Sequence, residues 1–266
     1  MKEELKEGMR VLDIGANIGY YSLLLASIVG PTGKVYSIEP SSQNFRLLKE
    51  NIALNHAENI VDVFHMGVSD KVSSENLYLS IHSNSHSFFR GTLHSKKTEK
   101  GEGETEPVEM TDVDSFVKGK EPIHFIRMDV EGFEVKVFQG MKSFIENSSN
   151  EIKILFEVHR SRYDEKDFNM REQLTRLFKL GFVPKTLIAK PLLKSKPYGI
   201  YPFSERGYSP DFLIPTDGFQ RGYYTNISQN DVLDYVCSLG CVRALLLVRM
   251  PQAATQRETS YSRLSE

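Results

Sequence analysis

The stretch that decides the fold is residues 11–21, VLDIGANIGYY, which is followed at residues 35–40 by VYSIEP. The first apolar run ends in Asp13 and breaks into a Gly-x-x-x-Gly turn, after which an apolar run with helical spacing begins. The next apolar run ends in Glu39. Two strands that each end in an acid, with a glycine turn and a helix between them, are typical of a nucleotide-type cofactor site at the carboxyl edge of a parallel sheet.

The residues of the turn indicate which cofactor binds. Dinucleotide sites usually carry a middle glycine, where the backbone meets a pyrophosphate, and this chain has Asn17 there. S-adenosylmethionine (SAM) has no phosphate, and its methionine end carries an ammonium and a carboxylate. We predict that Asp13 binds the ammonium, that exposed N–H groups of the turn bind the carboxylate, and that Glu39 binds the ribose diol. The predicted SAM-binding residues of this region are Asp13, Gly15, Ala16, Asn17, Gly19 and Glu39.

Composition limits the class of protein. The chain has 266 residues, 40% hydrophobic content and a formal net charge of −2, which suits one sizeable α/β domain and gives no overall attraction to nucleic acid or anionic membrane. Cys237 and Cys241 have no second cysteine pair, so we expect neither a zinc site nor a disulfide framework. We see no signal peptide and no membrane-spanning run, and we expect a cytoplasmic location without membrane insertion. The sequence does not define an oligomeric state.

Strand-like and helix-like segments alternate along the chain. This order predicts a Rossmann-like α/β fold, with a mostly parallel central sheet, helices on both faces and one late antiparallel strand. Ser41 or Ser42 can cap the second helix, and Asn169 with Glu172 resembles a capping box for a later one. After the first two strands, the further strands are predicted at residues 61–68, 77–81, 123–128, 152–158, 182–189 and 210–214, and an apolar stripe predicts one helix through residues 135–145.

The chain divides into three predicted parts. Residues 1–225 form a single domain, which contains a polar insertion or loop at residues 82–107. Residues 226–249 form a C-terminal helical extension, and residues 250–266 are polar, lack periodicity and are predicted to be disordered.

Four motifs in order match one family. Residues 13–19 (DIGANIG), 37–40 (SIEP), 111–114 (TDVD) and 128–134 (MDVEGFE) together resemble the FkbM-type SAM-dependent methyltransferases, over about residues 11–158. The resemblance implies the class I methyltransferase sheet and methyl transfer to oxygen, often a hydroxyl of a sugar, lipid-linked glycan or secondary metabolite. The Asn/Asp-Pro-Pro-Tyr signature of amino-group methyltransferases is absent, because Asp-Val-Glu-Gly takes its place. The acceptor is therefore predicted to be a hydroxyl group.

Three side chains are candidates for the chemistry. Asp129 ends the fourth core strand, Glu131 follows two residues later, and His159 follows the fifth strand. An alcohol must lose its proton during methyl transfer, and two close carboxylates raise the pKa of one of them and so provide a base. The same carboxylates, with His159 as a third ligand, could instead hold a divalent metal. Glu134 is predicted to stabilise the start of the next helix.

Two further segments have predicted roles. Ser69 and Asp70 end the third strand and are predicted to join the cofactor site, where Asp70 would accept the adenine amino group. A stretch of aromatic and basic residues could form a lid over a ring-shaped substrate or a packed surface loop. The residues of this stretch are Lys194, Lys196, Tyr198, Tyr201, Phe203, Arg206 and Tyr208.

Two other functions remain open. An NAD-dependent oxidoreductase or epimerase would normally have a third glycine in the turn and a Tyr-x-x-x-Lys pair, but Pro202 stands four residues after Tyr198. A catalytically silent SAM-binding protein would keep the fold without turnover, and the presence of Asp13, Glu39 and Asp129 favours an enzyme over it.

Overall fold

A computed structural model describes residues 1–82, 85–89, 103–190, 193–194, 199–200, 203–216 and 219–251. The strands are Arg10–Ile14 (β1), Lys34–Glu39 (β2), Val61–His65 (β3), Gly67–Val68 (β4), Ser73–Tyr78 (β5), Thr105–Thr111 (β6), Phe125–Met128 (β7), Ile152–Glu157 (β8), Val183–Ala189 (β9), Leu193–Lys194 (β10), Gly199–Ile200 (β11), Phe212–Thr216 (β12), Phe219–Tyr224 (β13) and Val242–Arg249 (β14). The helices are Tyr20–Val29 (α1), Ser42–Leu54 (α2), Val113–Phe116 (α3), Glu134–Gln139 (α4), Lys142–Asn147 (α5), Met170–Lys179 (α6) and Gln229–Asp234 (α7), and a π-helical turn spans Tyr235–Leu239.

One large sheet organises the molecule. Its nine strands follow the order β12-β13-β9-β14-β8-β7-β1-β2-β3. The five strands from β8 to β3 run parallel to their neighbours. Strand β14 pairs antiparallel with both β8 and β9, and β13 pairs antiparallel with β9 and β12. The predicted α/β class is confirmed, and the sheet has two strands of reversed direction, β13 and β14, where the sequence predicted one.

Hydrophobic side chains cover both faces of this sheet. Successive residues of a strand point to opposite faces, so Val11 packs in one core with α1 and α2, and Leu12 packs in the other with α3 to α7. Ser41 and Asn169 accept backbone hydrogen bonds at the starts of α2 and α6, which confirms both predicted caps. The predicted helix over residues 135–145 is two helices, because the chain breaks at Gly140, where a Cβ would lie 2.1 Å from the Ser69 carbonyl oxygen.

The C-terminal extension differs from its prediction. Residues 226–249 were expected to be helical, but the helical part ends at Leu239 and β14 follows. This strand lies inside the central sheet between β8 and β9, so the sheet continues well past residue 225. The apolar run at residues 244–248 is buried between two strands that are distant in sequence, apart from a half-buried Ala244. Residues 252–266, most of the predicted tail, lie outside the described residues.

The predicted third strand is divided between two sheets. Strand β3 ends at His65, and Gly67–Val68 joins a small sheet with the order β4-β6-β5. Gly67 lies so close to β6 that a Cβ there would be 2.4 Å from Met110 Sδ. The strand predicted at residues 77–81 begins earlier, at Ser73, and the end of the predicted 82–107 loop belongs to β6. Among the described residues, no helix is both long and apolar enough to cross a lipid bilayer.

Candidate functional site

A pocket opens at the carboxyl ends of β1, β2 and β7. Three acids line it, Glu39, Asp129 and Glu131. The lining also contains apolar side chains, among them Ile38, Met66, Val68, Leu77 and Phe88. The pocket therefore combines carboxylates with apolar surface, as a nucleoside with a charged end requires.

Glu39 is held rigidly in this pocket. Its Oε2 accepts a hydrogen bond from the Asn17 backbone N–H at 2.8 Å, and its Oε1 accepts one from the Ser41 N–H at 3.0 Å. Burial raises the pKa of the Glu39 carboxyl to about 7, although both N–H groups lower it. Oε1 also accepts a hydrogen bond from Asn44 Nδ2 at 3.5 Å, whereas Oε2 keeps a second lone pair and can accept a further hydrogen bond from a ligand.

Backbone N–H groups of the turn at residues 15–19 already donate hydrogen bonds within the protein. Those of Gly15 and Ala16 both donate to the Ile38 carbonyl at 3.0 Å, and that of Gly19 donates to the Ala16 carbonyl. In this conformation the N–H groups of Gly15, Ala16, Asn17 and Gly19 all donate within the protein, and their binding to the cofactor carboxylate stays a prediction. The turn instead offers a side-chain acceptor, because Asn17 Oδ1 is buried in the pocket wall without a hydrogen-bond partner.

Position 15 requires a glycine because the ends of β1 and β7 lie very close together there. Its φ is +78°, and a Cβ there would lie 2.0 Å from the Asp129 carbonyl oxygen. Asn17 also has a positive φ, +52°, which is uncommon for a residue with a side chain. The turn is thus fitted tightly against the end of β7, the strand that leads to Asp129.

Asp13 lies beneath the pocket rather than in its wall. Its carboxylate is fully buried and accepts hydrogen bonds from Ser22 Oγ at 2.7 Å and from an Arg127 guanidinium nitrogen at 3.2 Å. Burial raises its pKa, with Arg127 and Ser22 acting in the opposite direction. The prediction that Asp13 contacts the ammonium is not supported by this geometry, because both of its oxygens are used inside the protein.

Arg127 is the residue that the sequence analysis missed. Its guanidinium joins the turn to the chemical site, since it also donates to the Gly15 carbonyl at 2.8 Å and to Asp129 Oδ2 at 2.9 Å. The ring of Tyr21 covers it at 4.4 Å. The signal for this role was a lone arginine in the otherwise apolar end of the strand at residues 123–128.

The three predicted catalytic residues do converge. His159 Nε2 lies 3.5 Å from Glu131 Oε2 and 4.0 Å from Asp129 Oδ1. Its Nδ1 lies 2.7 Å from Oε1 of Glu134, a fully buried carboxylate that also accepts a hydrogen bond from Tyr163. Glu134 therefore orients the histidine ring, a role that the sequence analysis did not assign to it.

The pKa values of His159 and Glu131 in this cluster are shifted by different causes. Burial lowers the pKa of His159, but the carboxylates of Glu134, Glu131 and Asp129 together outweigh burial, and the pKa rises to about 9. Burial raises the pKa of Glu131, which His159 lowers in part. Glu131 has a φ of +50°, a strained conformation for a side chain of this size. Asp129 Oδ1 is buried and has no hydrogen-bond partner.

Other predicted site residues lie elsewhere. Ser69 donates to Asp70, and Asp70 pairs with Lys136 at 3.3 Å, so both are outside the pocket lining. The reason is the early end of β3, after which Met66 and Gly67 reach the pocket instead.

The predicted lid segment is only partly described. Lys196, Tyr198 and Tyr201 lie outside the described residues. Phe203 is buried and stacks at 4.1 Å on Tyr224, and Tyr208 donates to Asp231 of α7. These two aromatic residues belong to the packing around α7 and not to the pocket.

The fold and pocket define an α/β protein with a nucleotide-type cofactor site at the carboxyl edge of its sheet. The Methyltransferase FkbM domain matches residues 13–184, which is more than half of the chain. The chain belongs to this family. The predicted resemblance is thereby confirmed.

Individual relatives match shorter parts of the chain than the family model does. A protein-L-isoaspartate O-methyltransferase of Methanothrix thermoacetophila is 35% identical over 57 residues, 21% of this chain and 27% of the relative. An arsenite methyltransferase of Halobacterium salinarum is 34% identical over 68 residues, 24% of this chain and 17% of the relative. The chain thus spans about a quarter or less of the length of these curated relatives.

Solved structures resemble the chain at low identity. The crystal structure of the FkbM methyltransferase of Methylobacillus flagellatus has a TM-score of 0.39 and 16% identity, covering 58% of this chain and 33% of that one. A putative rRNA methylase of Clostridium thermocellum has a TM-score of 0.46 and 11% identity, covering 95% and 92%.

Proposed function

We propose that this protein is a SAM-dependent O-methyltransferase, which transfers a methyl group to a hydroxyl of a sugar, glycan, lipid or secondary metabolite. The observation that carries this proposal is one pocket, which is lined by Glu39, Asn17 and Asp129. The apolar side chains of Met66 and Phe88 line the same pocket. Family membership supports methyl transfer, and the absence of the amino-group motif supports an oxygen acceptor.

The residues of the pocket fit SAM. Glu39 would accept a hydrogen bond from the ribose diol, and the apolar side chains would enclose adenine. Two buried acceptor atoms without hydrogen-bond partners, Asn17 Oδ1 and Asp129 Oδ1, suit an ammonium group, which has only hydrogen-bond donors. These two atoms take the place of Asp13 as the proposed ligands of the methionine end.

Bound SAM supplies an electrophilic methyl group on a sulfonium. The acceptor oxygen must lose its proton as its bond to carbon forms, and we assign that proton to Glu131, which lines the pocket and has a raised pKa. His159, with a pKa of about 9, is protonated at neutral pH and therefore orients Glu131 rather than taking the proton. Asp129, fixed by Arg127, would orient the acceptor.

A divalent metal is a second proposal for the same cluster. Asp129, Glu131 and His159 each offer one ligand atom, and these atoms lie within 4.8 Å of one another. The contact between Glu134 and His159 Nδ1 resembles the arrangement that orients metal-binding histidines. Such an ion would lower the pKa of the acceptor hydroxyl.

Calorimetric titration with SAM and, separately, with NAD tests the cofactor. We expect saturable binding of SAM and none of NAD, and the reverse result would favour an oxidoreductase. Labelled SAM with a panel of hydroxylated sugars, lipids and metabolites then tests turnover. SAM binding without transfer to any acceptor would favour a silent SAM-binding protein.

A further inference from the structure

A groove lies on the face of the sheet that carries α1, beside the cofactor pocket. Its floor is formed by side chains of β7, β8, β9 and β14, and Tyr21 and Tyr223 also line it. Helices α1 and α2 pack on this face over β1, β2 and β3, so the groove occupies the neighbouring half. We call it the β14 groove.

The floor of the β14 groove is apolar and partly open. Leu155, Ile188 and Leu246 lie in it, and the first two are half-buried. Their sequence neighbours on the opposite face, such as Ile154 and Leu187, are at most 1% exposed. Leaving apolar surface open to water is unfavourable, so an open apolar floor indicates a binding surface.

The β14 groove and the cofactor pocket share one lining residue. Asp129 lines both, and Arg127 and Glu157 line the groove near it. The apolar floor adjoins these polar residues, since Leu155 of β8 pairs with Arg127 of β7.

We propose that the β14 groove binds the methyl acceptor and that the acceptor is an uncharged alcohol or phenol with an apolar body. This inference rests on the proposed methyltransferase function. The apolar body would lie on Leu155, Ile188 and Leu246, and its hydroxyl would reach Asp129. A free sugar is a poorer fit, because the side chains of Leu155, Ile188 and Leu246 offer its hydroxyl groups no hydrogen-bond partners. Glu3 and Glu157 in the lining disfavour an anion.

Binding is tested with N-phenyl-1-naphthylamine, a neutral apolar dye, in the presence of SAM. We expect saturable binding to the wild type, a loss of affinity of at least fivefold in Ile188→Asn, and no loss in the control Leu54→Asn, which changes a 75% exposed leucine outside the groove. 2-Naphthol should displace the dye, and methyl α-glucoside should not. Equal dye binding in the wild type and Ile188→Asn, or displacement by the glucoside, overturns the proposal.

Three further readouts separate the remaining outcomes. Calorimetry should show unchanged SAM affinity in Ile188→Asn; failure of the wild type to bind SAM would overturn the proposed function instead. Labelled SAM should methylate 2-naphthol or a related apolar alcohol, and label on sugars alone, or on neither class, overturns the acceptor assignment. Light scattering that shows a wild-type dimer and an Ile188→Asn monomer would identify the groove as an interface between copies, which also contradicts the proposal.

Discussion

The two halves of the central sheet are covered differently. Around β1, β2 and β3, helices pack on both faces, with α1 and α2 on one and α3 on the other. Around β8, β14 and β9, α6 and α7 cover one face, and Leu155 and Ile188 on the other remain half-exposed. The closed half holds the cofactor-type pocket, whereas the open half provides the β14 groove. The comparison suggests that one sheet separates cofactor binding from acceptor binding, with β7 between them.

The largest expected effect is in β7, the strand that lies between the two halves of the sheet. Arg127→Met removes the guanidinium that joins Asp13, Gly15 and Asp129. It leaves the fully buried Asp13 without its cation, so the free energy of unfolding should fall by about 3–5 kcal/mol. Denaturant unfolding measures this change. The control Arg206→Met removes two surface ion pairs, with Asp231 and Asp234, and should cost much less; equal losses would mean that the two halves are not joined through Arg127.

The next largest effect concerns methyl transfer, in which Glu131 is the proposed base. Glu131→Gln should lower turnover of an identified acceptor by about 100-fold, because the amide cannot take the proton. SAM affinity should change by less than several-fold. EDTA separates the two mechanisms, since it should leave a base-dependent rate unchanged and abolish a metal-dependent one that Mg²⁺ or Mn²⁺ restores. A wild-type rate in Glu131→Gln would exclude Glu131 from catalysis in either form.

A smaller effect concerns SAM binding by Glu39, in the half of the sheet that helices cover on both faces. Glu39→Ala should weaken SAM binding by roughly 2–3 kcal/mol, because it removes a hydrogen bond to a charged acceptor. Binding of N-phenyl-1-naphthylamine in the β14 groove should not change. If both ligands weaken together, the two sites are not independent and the comparison between the halves fails.

The smallest effect is the pH dependence of SAM binding. The pKa of Glu39 is about 7 without ligand, and its deprotonated form accepts stronger, charge-assisted hydrogen bonds from diol hydroxyls than its protonated form does. SAM affinity should therefore be full at pH 8 and fall by about tenfold at pH 6, as Glu39 gains a proton. Titrations at both values measure it. Glu39→Gln should bind SAM weakly with no such trend, and an identical pH trend in that variant would assign the proton to another group.

Local patterns predicted much of the fold and part of the site. The strands ending near Asp13 and Glu39 and the caps at Ser41 and Asn169 depend on a few neighbouring residues. The position of β14 could not be read in the same way, because it depends on pairing with strands far away in sequence. The convergence of Asp129, Glu131 and His159 was predicted correctly, since carboxyl ends of parallel strands meet at one edge.

The differences between the predicted and the observed contacts of the site have a common cause. Asp13 was predicted to face the cofactor, but Arg127, 114 positions later, binds it from below. The turn N–H groups were predicted to be exposed, but the Ile38 carbonyl accepts those of Gly15 and Ala16. In each case a partner distant in sequence satisfies a polar group, and a strand-by-strand pattern does not reveal which partner that is.

The central claim is that Glu39 contacts the ribose of SAM in the closed half of the sheet. The most direct measurement compares S-adenosylhomocysteine with its 2′-deoxy analogue by calorimetry, in the wild type and in Glu39→Ala. The account predicts that the wild type binds the deoxy analogue about tenfold more weakly, because one hydrogen bond to the carboxylate is lost. Glu39→Ala should bind both ligands equally. Discrimination of the same size in both proteins would contradict the account, because the ribose would then be recognised elsewhere.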